Sequence, residues 1–226
     1  ASRQLKARLR SLMQTMTLSR TSESLRGSRI NTRRAYRSNQ YNRRLFIHQD
    51  ENKGVETAVF LLCDRSGSMN PSIVKAAQAV YAIGDSMHSL TGVKVGAGLF
   101  PAHRLLFPIG MSPSSHIDRM QFSAMGSTPL GEGVSWAVGQ LRKRREPRKI
   151  LMLVTDGDPD DPSYAEAMVA AAERAGIEVF AVGINTLVDT TLFSRNCIIS
   201  NIDELPQAVL GMLGDALLQP PMRHVA

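Results

Sequence analysis

The sequence predicts an α/β fold: a doubly wound, mostly parallel central sheet of about six strands flanked by helices, preceded by a basic N-terminal arm. Three observations lead there. From residue 55 onward, short apolar runs of strand length alternate with segments of helical periodicity. Several of the runs are apolar at every position, as strands buried on both faces are. Oxygen-bearing side chains cluster just after these runs, and in open α/β sheets ligands gather beyond the carboxyl ends of the strands.

The arm comes first. Residues 1–53 carry 13 Lys/Arg against 3 Asp/Glu, whereas residues 54–226 carry 14 against 17. The overall charge of +7 therefore conceals a strongly basic arm and a mildly acidic remainder. The opening "LKARLRSLMQTMTL" sets Leu5, Leu9, Leu12, Met13 and Met16 at helical spacing. "RGSRINTRRAYRSNQYNRRLF" reads as extended or irregular chain with Ile30, Tyr36, Tyr41 and Phe46 as apolar anchors. "HQDENKG" reads as a polar linker ending at Gly54, which divides the chain into an arm, 1–54, and a domain, 55–226.

In the domain, "VETAVFLLCD" is the first strand. "NPSIVKAAQAVYAIGDSMHSL" is a helix with Asn70 as N-cap and Pro71 at its first position, and with Ile73, Ala76, Ala77, Val80, Ile83 and Met87 on one face. "VKVGAGLFP" and "HRLLFPIG" are strands, the second an antiparallel edge. "LGEGVSWAVGQLRKRR" is a helix with Val134, Ala137, Val138 and Leu141 inward and a basic last turn suited to its dipole. "KILMLVTDGD" is a strand buried on both faces. "SYAEAMVAAAERAG" is a helix closed by Gly176. "IEVFAVGIN" and "CIISN" are strands, and "IDELPQAVLGMLGDALL" is the last helix.

Composition excludes several classes. No apolar run approaches the roughly 20 residues that cross a bilayer. Cys63 and Cys197 lie far apart in apolar runs without a CxxC pair, which suits packing thiols in a reducing cytoplasm better than a disulfide or zinc site. Neither a GxSxG elbow nor a GxxxxGK[ST] phosphate loop occurs, so catalysis by this chain alone is not expected. The first residue is Ala, as in a processed chain or a piece of a longer one, where any address signal would be out of view.

The chemistry sits in "DRSGSM", where Asp64, Ser66 and Ser68 alternate around Gly67. "AMGSTPLGEG" places Thr128 in a loop before a helix, and "LVTDGDPDDPS" places Asp156 at the end of the most apolar strand. Five oxygens without nitrogen or sulfur suit a hard divalent cation such as Mg²⁺, with Mn²⁺ or Ca²⁺ the other candidates. Two carboxylates and three hydroxyls leave such an ion incompletely neutralised, so an acidic side chain from another molecule fits its open position. The bland reading of "DRSGSM" alone is a turn in which Asp and Ser cap backbone groups; Thr128 and Asp156 in the right order argue against it.

With Thr128 and "TDGD" in sequence after it, "DRSGSM" resembles the DxSxS…T…D pattern of von Willebrand factor A domains and their metal-ion-dependent adhesion site. The resemblance spans roughly residues 55–218 and implies that Asp64, Ser66, Ser68, Thr128 and Asp156 hold Mg²⁺ directly or through water. "INTRR" and "VETAVFLLCDRSGSM" are similar to the C-terminal domain of the cobaltochelatase CobT subunit and to related domains associated with MoxR-type AAA+ ATPases. That resemblance implies a CobS/MoxR-like AAA+ ATPase as partner, together with a large chelatase subunit that inserts cobalt during cobalamin biosynthesis. The acidic low-complexity region that usually precedes the domain in the chelatase subunit is not in this sequence.

Arg65 and Asp158 are the expected partner contacts; Arg65, an unusual neighbour for a cation, either binds an acidic partner alongside the ion or points away from it. Asp158, Asp160 and Asp161 otherwise read as a solvated turn fixed by Pro159 and Pro162, and "LRKRREPRK" as a solvated helix end. The arm suits contact with an acidic protein face or with phosphate; it lacks the aromatic platform of a base-reading module. Two further classes stay open, an enzyme subunit whose ion takes part in chelation and a nucleic-acid-associated protein using the arm.

Overall fold

The computed structural model describes residues 56–184 and 192–218, with side chains through 216, and the backbone of three earlier strands. The described residues fall into two units, one within Ser11–Gly54 and one from Val55 onward. In the first, β1 (Arg20–Ser24) and β2 (Arg29–Ile30) both pair antiparallel with β3 (Phe46–Asp50). The start of the expected linker is therefore strand: His48, Gln49 and Asp50 oppose Ser22, Thr21 and Arg20, and pairing with distant chain overrides a weak local preference. The expected helix around Leu5–Met16, with Tyr36 and Tyr41, lies outside the described residues.

The second unit runs β4 (Thr57–Asp64), α1 (Ile73–His88), β5 (Val93–Phe100), β6 (Arg104–Phe107), α2 (Leu130–Arg142), β7 (Arg148–Thr155), α3 (Pro162–Arg174), β8 (Ile177–Ile184), β9 (Asn196–Ile199) and α4 (Leu205–Leu218). Its six strands lie in the order β6-β5-β4-β7-β8-β9. All neighbours are parallel except β5 and β6. The chain leaves β4 through α1 to β5 on one side and later places β7 on the other. The carboxyl end of β4 is thus a switch point in strand order, where such sheets open a crevice.

The period of two along β4 explains the two layers. Ala58, Phe60 and Leu62 enter the core that α2 and α3 contribute to, while Val59, Leu61 and Cys63 face the other way, and all six are at most 2% exposed. The α1 stripe read from the sequence is buried throughout; α1 packs on β5 and on α4, and α2 packs on α3. Gly98 in β5 makes room for the only tryptophan, Trp136, whose ring a Cβ at position 98 would strike. Trp136 in turn meets Phe60 edge-on, with ring centroids 5.6 Å apart. Cys63 is buried and Cys197 half-buried, and both are free thiols. Among the described residues no helix is long and apolar enough to cross a membrane.

One boundary differs from expectation. The first helix begins at Ile73 with Ser72 as N-cap, not at Asn70. The metal-loop segment Gly67–Met69 forms a 3-10 turn of its own, in which Asn70 N–H donates to the Gly67 carbonyl at 3.2 Å and Ser72 N–H to that of Met69 at 2.8 Å. Asn70 and Pro71 are consumed in the turn that aims the serines.

The end of the sheet away from this loop is held by charge. Glu178 in β8 receives Arg148 in two parallel bonds, 2.7 and 3.0 Å, and Arg195 at 2.6 Å. Arg148 also caps α4 by donating to the Ala216 carbonyl at 2.7 Å. Nearby, Glu146 is 3% exposed between Arg144 (2.8 Å) and Lys94 (3.1 Å), and the Arg144 hydrogen bonds lead in lowering its carboxyl from 4.5 to about 2. A depressed carboxyl stabilises the fold above its unfolded value and loses that contribution as pH falls toward its folded one. Glu146→Gln is expected to cost about 2 kcal/mol at pH 6, discounted for its partly exposed partners. Urea midpoints of the two proteins should converge between pH 4.5 and pH 2.

Candidate metal centre

β4 ends by delivering Asp64 to the crevice, fully buried. Its Oδ1 accepts the Ser66 N–H at 2.7 Å, and its Oδ2 accepts the Thr155 hydroxyl at 2.7 Å. Burial nevertheless outweighs these bonds and pushes the Asp64 carboxyl above the usual carboxylate range. Thr155, which the sequence reading treated as strand, also accepts the Gly157 N–H at 3.2 Å and so ties the β4 and β7 loops together. Nothing in the sequence distinguishes it from any other threonine near a strand end.

The hydroxyls follow in a chain. Ser66 Oγ lies 2.9 Å from Ser68 Oγ, and Ser68 donates to Asp156 Oδ1 at 2.7 Å. Ser68 has one proton, so Ser66 donates to Ser68. Thr128 comes from the third loop: its Oγ1 and Ser68 Oγ each lie 3.6 Å from where a Cβ on Gly157 would stand. The two hydroxyls therefore converge on one point beside Gly157. Asp64, Ser66, Ser68, Thr128 and Asp156 are brought to one corner of the sheet, with Ser68 exposed and Asp64 at the bottom.

The donor set fits a hard cation. An octahedral ion with bonds of about 2.1 Å sets adjacent ligands about 3.0 Å apart, close to the 2.9 and 2.7 Å separations of these oxygens. Neither Asp64 nor Asp156 is ion-paired among the described residues. The Asp156 charge adds to the cost of ionising Asp64, which a bound divalent ion would reverse.

The Thr128 loop is held from both sides. On one, Asp160 Oδ1 accepts the Thr128 N–H at 3.0 Å, and Asp160 N–H donates to the Thr128 carbonyl at 3.0 Å. On the other, Gly67 N–H donates to the Gly126 carbonyl (3.1 Å) and Met125 N–H to that of Arg65 (2.7 Å). Gly126 has φ +73°, which favours glycine at this point of the loop. The acidic run is thus partly structural: Asp160 clasps Thr128, Asp161 caps α3 by accepting the Tyr164 N–H at 2.9 Å, and Asp158 is exposed. The Asp-Pro pair before a helical stretch was a legible cap signal; the Asp160 clasp was not legible.

Of the two placements expected for Arg65, the structure has the one that points away from a partner. Arg65 is 7% exposed, and its Nε donates to the Pro101 carbonyl at 3.1 Å while its Nη2 lies against the Met125 sulfur. Those contacts turn the guanidinium between two loops and remove it from the surface a partner would touch.

The von Willebrand factor type A domain, as a sequence family, matches residues 58–195. Solved structures share the fold at low identity. Proximal thread matrix protein 1 from the mussel byssus, with a zinc-occupied MIDAS motif, is 17% identical at TM-score 0.61 over 73% of this chain and 46% of its own. The pilus adhesin SpaC of Lactobacillus rhamnosus GG is 14% identical at 0.60 over 72% and 30%. Manganese-loaded TRAP of Plasmodium vivax is 11% identical at 0.53 over 71% and 72%. The chain spans less than half the length of the mussel protein and of the adhesin.

Proposed function

This chain belongs to the von Willebrand factor type A domain family, and from that premise we propose that it is a Mg²⁺-dependent protein-binding domain. Asp64, Ser66, Ser68, Thr128 and Asp156 would hold the ion, directly or through water. When bound, it would supply Lewis acidity toward one carboxylate of a partner, a Glu or Asp. The observation that carries this reading is the convergence of oxygens from three loops, with Ser66 and Ser68 Oγ 2.9 Å apart, Asp156 Oδ1 2.7 Å from Ser68 Oγ, and Thr128 Oγ1 beside them, above a buried carboxylate without an ion-pair partner among the described residues. The zinc of the mussel protein and the manganese of the Plasmodium protein support a divalent ion as the class.

Around the ion the chain does three things. Thr155 and the Ser66 N–H fix the Asp64 carboxylate. Asp160 holds Thr128 at the site. Asp158, exposed beside Asp156, selects partners that carry a basic residue near the entering acid. The partner we assign is a hexameric AAA+ ATPase of the CobS/MoxR type or the protein on which it acts, on the resemblance of "INTRR" and "VETAVFLLCDRSGSM" to that group. In the cobaltochelatase version the chain is the non-catalytic CobT-type subunit in the cytoplasm, and a large separate subunit inserts the cobalt. Purified chain and purified ATPase should associate in Mg²⁺ and separate in EDTA. Association that survives EDTA and weakens steeply with salt would favour a role for the basic arm on phosphate instead.

A further inference from the structure

Arg65 is the one residue of the metal loop whose side chain contacts both neighbouring loops. Its guanidinium bonds Pro101 at the end of β5 and Met125 in the Thr128 loop, while its backbone N–H donates to the Phe100 carbonyl (2.8 Å) and its carbonyl accepts the Met125 N–H (2.7 Å). Two backbone bonds, which any residue at this position would make, and the two guanidinium contacts that only Arg65 supplies therefore join the loop bearing Ser66 and Ser68 to the loop bearing Thr128 and to the β5–β6 turn. We propose that Arg65 is a positioning residue for cation binding, stapling the Thr128 loop and the β5–β6 turn to the serine loop so that Thr128 stands within reach of the same ion. The inference rests on the metal-binding reading above.

Charge alone makes the opposite case. A guanidinium next to a divalent ion repels it, so on electrostatics removing Arg65 should tighten binding. The staple requires the reverse, because outer partners that orient metal ligands are worth about 10–100-fold in affinity. Lysine does not substitute: a single ammonium on a flexible stem lacks the planar fork that reaches the Pro101 carbonyl and the Met125 sulfur together.

The turn offers a readout that needs no metal. His103, two residues after Pro101, stacks on Trp136 with ring centroids 5.4 Å apart and planes at 18°, and Trp136 is the single tryptophan. Intrinsic fluorescence of the metal-free protein therefore reports whether the turn stays where Arg65 holds it.

The test is Mn²⁺ titration, followed by electron paramagnetic resonance, of the wild type, Arg65→Met, Thr128→Ala and the double variant. The expected result is about 10–100-fold weaker Mn²⁺ binding for Arg65→Met, little further loss when Thr128 is already Ala, and altered Trp136 emission in EDTA. Binding that is unchanged or tighter in Arg65→Met, losses that simply multiply in the double variant, or unaltered Trp136 emission overturns the inference while leaving the metal site standing. A wild type that binds no Mn²⁺ overturns the metal-binding reading and this inference with it. If Arg65→Met does not fold, Met125→Leu removes the sulfur acceptor at a half-exposed position (48%); weaker Mn²⁺ binding then supports the staple, and unchanged binding overturns it.

Discussion

Asp64→Asn is expected to abolish divalent-cation binding while leaving the metal-free fold at least as stable as the wild type. The carboxylate is fully buried, and its raised pKa means that ionisation without a cation costs stability in the folded state. The amide has nearly the same shape and carries no charge. Ser66 N–H can still donate to its oxygen, and the Thr155 hydroxyl can turn to the Gly157 carbonyl, already 3.2 Å away, while accepting from the new NH₂. Removing the charge that holds the ion should cost more than the roughly 10–100-fold of an outer partner. Thermal melts separate the two effects. A cation at 100 times its dissociation constant stabilises by about 2.7 kcal/mol, so the wild type should melt higher in Mg²⁺ than in EDTA and the variant should not. A variant that keeps the Mg²⁺-dependent rise would show that Asp64 is not part of the site.

Glu178→Gln should destabilise the fold strongly, and it should leave cation affinity alone. Glu178 is the shared acceptor of Arg148 and Arg195, with Arg148 only 4% exposed. Burying an ion pair gains little net stability, but removing one partner strands the other charge and costs about 3–5 kcal/mol. The neutral amide keeps the shape and one acceptor but withdraws the charge that two guanidinium groups share beneath the end of α4. For a domain of this size the melting temperature should fall on the order of 10 °C. The triad stands at the opposite end of β7 and β8 from Asp156, so Mn²⁺ affinity measured below the new midpoint should match the wild type. A fall in affinity of the size expected for Asp64→Asn would mean that the two ends of the sheet are coupled.

Much of the fold was legible because its signals are local. The all-apolar β4, β7 and β8 announce a parallel sheet, the α1 stripe announces its buried face, and Gly176, with φ +77°, announces the end of α3. The ligand-bearing residues were legible for a related reason: each follows an apolar strand or precedes a helix, so strand order alone brings them to one edge. What was not legible depends on contacts distant in sequence. Residues 48–50 look like linker until β1 pairs with them. Asp160 looks like solvated turn until Thr128 lies beside it. Arg65 looks like a partner contact because a sequence does not reveal that Pro101 and Met125 will receive its guanidinium.

The most direct measurement is a crystal structure with Mn²⁺, located by its anomalous scattering. The account predicts one ion bonded to Ser66 Oγ and Ser68 Oγ, with Thr128, Asp64 and Asp156 bonded directly or through water, and one coordination position held by water or by a carboxylate from a neighbouring molecule. An ion elsewhere, or one whose every position is filled by side chains of this chain, would contradict it.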